Sequence, residues 1–295
     1  MVPKPSAPTG RLGRAVRLAL AAGLLTVTLG GCSTEEVLRF GWPEGITPQA
    51  DRMQGLWTWS VIAALAVGVV VWGLMFWVII RYRKRGDELP VQTRFNLPIE
   101  VLYTVAPVLI ISVLFYYTAV TQTYVDKRTE NPDVTVSVIG FKWNWQFAYP
   151  DELGADGRAV ATIGTSEEIP VLVLPTGKRI RFLETSNDVI HSFWVPEMLF
   201  KRDVIPGRTN SFEISSIDKT GAYVGRCAEL CGTYHSNMNF EVRAVSPENF
   251  DRYLEARKDG ASVGDALRGI GENPLATTTR PFNTSREAAR TGSGS

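Results

Sequence analysis

The sequence predicts a membrane-embedded hairpin of two helices followed by an all-β sandwich. Two stretches, 53–80 and 101–124, hold no charged residue, and each is long enough to cross a bilayer at ~1.5 Å per helical residue. From Asp133 onward the pattern changes to short runs in which apolar and polar residues alternate. Turn signals such as Pro175-Thr-Gly177, Pro206-Gly207 and Thr220-Gly221 separate them. Many short strands with regular turns argue a sandwich or barrel. At 295 residues the chain has room for both parts. Its 31 basic and 30 acidic residues nearly cancel. No long basic run lies outside the termini and 81–85, which argues against a nucleic-acid partner.

Taken in order, the chain opens with Lys4, Arg11, Arg14 and Arg17, then an apolar stretch over 18–29 ending in Leu29-Gly30-Gly31-Cys32. A basic head, a short apolar body and small residues at its end read as a secretory signal over 1–31. The body is too short to span a bilayer. Gly30-Gly31-Cys32 resembles a bacterial lipobox, which implies a mature chain starting at a lipidated Cys32. The competing reading is an ordinary signal peptide with an incidental Cys. Residues 32–52 then form an extracytoplasmic segment.

The hairpin occupies 53–128. Trp57 and Trp59 mark one end of its first span, and Trp72, Trp77 and Tyr82 the other, as aromatic rings favour the headgroup region. Arg81-Tyr-Arg-Lys-Arg85 follows at once. Positive charge beside a span marks the cytoplasmic side, so 81–99 is a cytoplasmic loop. The second span contains Pro107, which membrane helices tolerate, and returns the chain to the outside.

The sandwich occupies 129–258. Val134, Val136 and Val138 alternate with polar partners, and Phe141, Trp143, Trp145, Phe147 and Tyr149 recur at period two. Further strands are expected over 169–174, 179–184, 189–195, 210–215, 222–226 and 238–245. The polar segment 151–168 reads as an exposed loop. Ser246 and Pro247 read as the cap and first turn of a short helix reaching about Lys258. Residues 259–295 are rich in Gly, Thr, Ser and Arg and read as disordered.

The chemistry is concentrated in Cys227-Ala-Glu-Leu-Cys231-Gly-Thr-Tyr-His235-Ser-Asn-Met238, with His191 upstream in Asp188-Val-Ile-His. The chain has only 2 His and 3 Cys, so both imidazoles belong to this set. Soft sulfur with imidazole selects copper, and a Met beside Cys and His marks an electron-transfer copper site. A mononuclear blue-copper site needs one Cys, and the second thiol is enough to bridge a second copper. A disulfide and a structural zinc site are the competing readings, though neither explains Met238. No nucleophile with a base is evident. No Cys-x-x-Cys-His occurs, so an attached c-type haem domain is absent from these residues.

This loop, the His191 segment and the hairpin resemble subunit II of the haem-copper cytochrome c oxidases, over about residues 50 to 258. The resemblance implies a cupredoxin-like sandwich carrying a dinuclear copper A centre. Cys227 and Cys231 would bridge the coppers, His191 and His235 would bind one each, and Met238 and the backbone carbonyl of Glu229 would be weak ligands. It implies further that the Glu229 carboxylate reaches a magnesium ion shared with subunit I. Asp188 would help dock a basic cytochrome. Trp143, in Lys142-Trp-Asn-Trp-Gln-Phe, would be the port for electrons. Alternation, however, places all five aromatics on one face, so a bulge or strong twist is needed to bring Trp143 out. Glu100, in Glu100-Val-Leu-Tyr-Thr-Val-Ala-Pro107, would guard a proton-uptake path; otherwise it simply sits at the membrane edge. Phe193, Trp194, Leu230 and Phe240 are expected to keep water from the metal.

The implied function is electron uptake from a c-type cytochrome, or from a cytochrome bc complex, and delivery to haem in subunit I. There oxygen is reduced to water and protons are translocated, so this chain would not catalyse alone. Subunits I and III and the bacterial plasma membrane are the implied surroundings. Rival classes are a copper-free quinol-oxidase subunit, a copper A domain of a nitrous-oxide reductase and a copper-delivery protein.

Overall fold

The computed structural model describes residues 33–281, apart from 88 and 90. The expected signal and Cys32 lie outside the described residues. A short helix, α1 (Thr34–Leu38), carries a capping box between Ser33 and Glu36, which satisfies two otherwise orphaned donors.

Two long helices follow, α2 (Pro48–Arg81) and α3 (Leu97–Val125). Each starts with a side-chain cap and an early Pro: Thr47 accepts from Ala50 N, and Asn96 accepts from Ile99 N. Their most apolar windows have mean hydropathies of 2.5 and 2.1 and are unburied. Most of their Val, Leu, Ile and Phe side chains therefore face outward, the inverse of a soluble core and the arrangement a lipid solvent requires. Hydroxyls along both helices turn back on their own backbone. Ser60, Thr104, Ser112, Thr118 and Thr123 each donate to the carbonyl four residues earlier, at 2.7–2.8 Å. No polar hydrogen of theirs is then left to the bilayer.

At ~1.5 Å per residue, α2 runs to about 50 Å, well beyond the ~30 Å hydrocarbon thickness. Its first turn is already part of the β domain. Thr47, Gln49 and Ala50 are buried, and Ile46 belongs to the core. Ile46 N donates to Glu197 O at 3.0 Å and Asp218 N to Ile46 O at 2.9 Å. The Gln49 amide both donates to Ser215 Oγ and accepts from Ser215 N.

The β domain is a sandwich of two five-stranded sheets. One has the order β3-β2-β1-β5-β8, with β1 (Val134–Phe141), β2 (Asn144–Leu153), β3 (Ala159–Ile163), β5 (Ile180–Ser186) and β8 (Asn210–Ile214). The other has the order β4-β10-β9-β6-β7, with β4 (Val171–Pro175), β6 (His191–Val195), β7 (Phe200–Val204), β9 (Gly221–Cys227) and β10 (Asn239–Val245). Pairs β1·β5 and β4·β10 are parallel and the rest antiparallel. Alternate residues of each sheet meet between them. Trp145 and Phe147 meet Phe240 across the sheets at 5.4 and 5.3 Å between centroids, and Phe182 meets Phe193 at 5.5 Å.

Four expectations are corrected. Residues 151–168 are not one loop, because β3 pairs with β2 across a bulge and buries Val160 and Thr162. Strand β7 was not anticipated. The period-two aromatic run is broken: Phe141 closes β1, Lys142 and Trp143 form the turn, and β2 starts at Asn144. Trp145, Phe147 and Tyr149 are buried while Trp143 is not, so a turn, not a bulge, takes Trp143 off the strand.

The fourth correction concerns 259–281, which are ordered. After α4 (Pro247–Lys258), α5 (Val263–Gly269) buries Ala266 and Leu267, and the chain then straps across β10. Two charged β10 residues hold it. Glu241 accepts from the backbone N–H of Thr277 and Thr278 at 2.6 and 2.8 Å. Arg243 donates to Glu272 and to the carbonyls of Asn273 and Leu275. The two also pair with each other at 0% and 3% exposure. Burial alone would raise the Glu241 carboxyl, but Arg243 and the strap's donors hold it below the usual carboxylate range. Composition suggested disorder because these ties are polar.

Candidate metal centre

The ligand candidates converge at one end of the sandwich. His191 opens β6, Cys227 closes β9 and Met238 immediately precedes β10. Cys231 and His235 lie on the loop between β9 and β10, with His235 starting a single 3-10 turn. The loop is pinned at both ends. Cys227 N donates to Met238 O, and Ala228 N to Ser192 O. The buried indole of Trp145 also donates to Met238 O, at 3.2 Å.

The two thiols stand 3.9 Å apart and are free. That is nearly twice the ~2.05 Å of a disulfide bond, so the disulfide reading does not describe this loop. Donors flank them from two sides. His191 Nδ1 lies 3.9 Å from the Cys227 sulfur, and the Glu229 carbonyl 3.3 Å from it. His235 Nδ1 and the Met238 sulfur lie 3.5 and 3.8 Å from the Cys231 sulfur. Ligand atoms of His191, Cys227 and Cys231 fall within 4.8 Å of one another. A pair of sulfurs with one imidazole at each end fits two metal ions sharing the thiolates better than one tetrahedral ion.

Charge points the same way. Burial works against both thiolates. Around Cys227, hydrogen bonds from His191 and backbone groups outweigh it and lower the thiol below its ordinary value. At Cys231, burial and the neighbouring Cys227 charge push the thiol up to about 12. The second thiolate therefore calls for a cation beside it. Met238 is fully buried, as are Phe193 and Phe240, while Trp194 is half-buried. Leu230 is 79% exposed, so it does not shield the site as expected.

Asp188 lies at the surface, and its carboxylate also makes contacts toward the site. It bonds His191 Nε2 at 2.8 Å and accepts from Lys142 N and Val189 N at 2.6 Å each. These bonds outweigh its partial burial and hold it below the usual carboxylate range. An acid on one ring nitrogen fixes the tautomer and aims the other nitrogen at the metal. Gly140 completes the seat of the ring, since a Cβ there would come within 2.9 Å of His191 Cδ2. The three-residue Asp–His spacing was visible in the sequence; the Gly140 contact was not.

Trp143 lies over the loop. Its indole N–H donates to the Cys231 carbonyl at 3.2 Å. Two site candidates stand apart from this cluster. The Glu229 side chain is exposed. Glu100 is in the first turn of α3, where it accepts from Asn96 N at 2.8 Å and so helps cap the helix.

Comparison with known proteins settles the family. The family model for the periplasmic domain of cytochrome c oxidase subunit II matches residues 134–245, and the model for its transmembrane domain matches 36–119. The chain belongs to the cytochrome c oxidase subunit II family. A probable cytochrome c oxidase subunit 2 of Nocardia farcinica is 49% identical, over 94% of this chain and 91% of the relative. The cytochrome c oxidase subunit 2 of Mycobacterium tuberculosis is 47% identical, over 96% and 93%. Among solved structures, the periplasmic domain of subunit II (CoxB) of Bradyrhizobium japonicum is 33% identical over 44% of this chain and 97% of that one, with a TM-score of 0.39. The chain thus combines two apolar helices able to span a membrane with a β-sandwich of the periplasmic-domain family, as the resemblance led us to expect.

Proposed function

We propose that this chain holds a dinuclear copper A centre and is the electron-accepting subunit of a cytochrome c oxidase in a bacterial plasma membrane. The observation that carries this reading is the pair of free thiols 3.9 Å apart with an imidazole at either side. Cys227 and Cys231 would bridge the metals, His191 and His235 would each bind one, and Met238 and the Glu229 carbonyl would complete the set. When bound, two coppers sharing two thiolates exchange a single electron with charge spread over both. The chain's part is to hold the donors still and dry. Strands β6, β9 and β10 fix three of them, Asp188 aims His191, and Phe193 and Phe240 exclude water.

Trp143 is the proposed port, because its indole touches the solvent side and is hydrogen-bonded to the backbone of a ligand. Electrons would come from a c-type cytochrome, free or within a bc complex, and go on to haem in subunit I. Asp188 adds to the docking charge only through the part of its side chain that stays exposed. The exposed Glu229 carboxylate is free to reach a magnesium ion shared with subunit I, as hard oxygen suits Mg²⁺. Glu100 would admit protons at the cytoplasmic end of α3 in addition to capping it. Cys32 would carry the lipid, and subunits I and III complete the assembly.

The test is metal analysis and paramagnetic resonance of the purified oxidase. Two coppers in this subunit, with one electron shared over two nuclei, are expected. A single-copper signal or stoichiometric zinc rules the reading out. Stopped-flow reduction by saturating cytochrome tests the port: Trp143→Gln should slow electron transfer while docking and copper content stay normal.

A further inference from the structure

Trp143 is set in a turn, where an indole would ordinarily have several orientations open to it. Three contacts restrict it. The hydrogen bond to the Cys231 carbonyl fixes one edge. Gly232, at φ +122°, lets the loop pass directly beneath, and a Cβ there would stand 3.2 Å from the indole nitrogen. The ring of Tyr234 meets the indole edge-on, at 4.9 Å between centroids and 88° between planes. Tyr234 is 39% exposed and immediately precedes His235. Its phenol ring is too open to be core.

We propose that Tyr234 is a positioning residue for electron uptake: its ring holds the Trp143 indole against the Cys231 carbonyl. The proposal rests on Trp143 being the port. Electronic coupling between a donor and the metal falls steeply with distance and orientation. An indole that swings off the loop loses the hydrogen-bonded route through the Cys231 backbone to its sulfur. Edge-to-face pairs favour one arrangement by a factor of about 2 to 12 in population. The Gly232 backbone makes room for the indole, and the Tyr234 ring meets it edge-on. The ring, not the hydroxyl, supplies this contact, so Phe should replace Tyr234 and a small or aliphatic residue should not.

The experiment uses the whole oxidase with its copper bound. Reduction of copper by saturating cytochrome c is followed in wild type, Tyr234→Phe, Tyr234→Ala and Tyr234→Leu, and in Trp143→Phe with and without Tyr234→Ala. Hydroxyl-radical footprinting of the same samples, read by peptide mass spectrometry, reports how accessible the Trp143 ring is. Tyr234→Ala and Tyr234→Leu should transfer electrons about threefold more slowly, with faster labelling of Trp143 and unchanged copper spectra. Tyr234→Phe should keep the wild-type rate and labelling. In the Trp143→Phe background, Tyr234→Ala should add nothing. If Tyr234→Ala and Tyr234→Leu keep the wild-type rate while Trp143→Gln is slow, the positioning role is wrong and the port stands. If Trp143→Gln is also fast, the port itself is wrong and the proposal falls with it. A changed copper spectrum in both Tyr234→Ala and Tyr234→Leu means that Tyr234 acts on His235, which overturns the proposal too.

Discussion

His191 and His235 reach the same pair of thiols by different means. His191 is fully buried at the start of a strand, with Asp188 on one ring nitrogen and Gly140 leaving room for the ring. Its partner Cys227 ends a strand and has a lowered thiol pKa. His235 is half-buried on a single 3-10 turn, and its partner Cys231 has a thiol pushed up to about 12. One half is organised by the sheet. The other half is a loop, and with the two sulfurs 3.9 Å apart a cation is needed for both to be thiolates together. The lesson is that a rigid metal site need not be rigid on both sides, provided the metal itself completes the second.

The largest effect should come from Cys231→Ser. It removes the thiolate that the loop half depends on, and metal analysis should find fewer than two coppers with no shared-electron signal. Retention of both coppers would show that the loop half is not the weak one. Next, stripping copper from the oxidase should raise hydrogen exchange in the backbone over 229–238 and leave 191–195 nearly unchanged. Equal deprotection of both segments would break the comparison.

Asp188→Asn attacks the sheet half instead. Partners of this kind are worth about 10- to 100-fold in metal affinity, so copper should pass to a chelator faster by a factor in that range. If the loss is no larger than for a neutral surface change, such as Asn237→Ala, the aiming role of Asp188 is wrong.

The smallest effect concerns Glu184, which lies on β5, two residues from Ser186 and four from Asp188. It is fully buried, and neither carboxylate oxygen has a hydrogen-bond partner. Burial pushes it well above the ordinary 4.5, with Arg202 opposing and Asp203 adding to the rise. For an acid whose folded pKa is raised, the unfolded chain releases its proton first. Its contribution to stability is complete below pH ~4.5 and is lost as pH rises toward the folded pKa, at no more than about 1.4 kcal/mol per pH unit. Glu184→Gln should flatten that part of the thermal-stability profile and leave the copper spectrum unchanged. An unaltered slope would mean that Glu184 is ionised in the folded protein.

The hairpin was legible because outward-facing apolar helices announce themselves without reference to any partner. Its ends were less so. The uncharged stretch starts at 53, but α2 starts at Pro48, since Thr47 caps it and Asp51 and Arg52 lie on helix outside the apolar span. In the β domain, alternation found the strands that bury one face. It missed β7, an edge strand whose Lys201 and Asp203 are exposed. It also ran the aromatic pattern straight through the turn at Trp143, because side-chain period carries no information about where the backbone reverses. For the strap, the apolar residues Val263, Ala266, Leu267 and Ile270 stand at helical spacing and were a missed signal. The ligands themselves were readable because Cys, His and Met carry their chemistry in their identity. The bonds of Asp188 to Lys142 N and Val189 N and the exposure of Leu230 depend on the path of the loop, which residue types do not encode.

The Ile46–Gln49 segment has a bearing on biogenesis. It precedes the first span, yet Ile46, Thr47 and Ala50 are seated within a domain whose strands all follow the second. The two can meet only if both spans have been threaded and both ends emerge on the same face of the membrane. A chain inserted with one span inverted or skipped would leave the slot open and the Glu197 and Asp218 backbone groups unpaired. The interior of the β domain is thus complete only in that topology, and a fragment cut at residue 129 would lack part of its own interior.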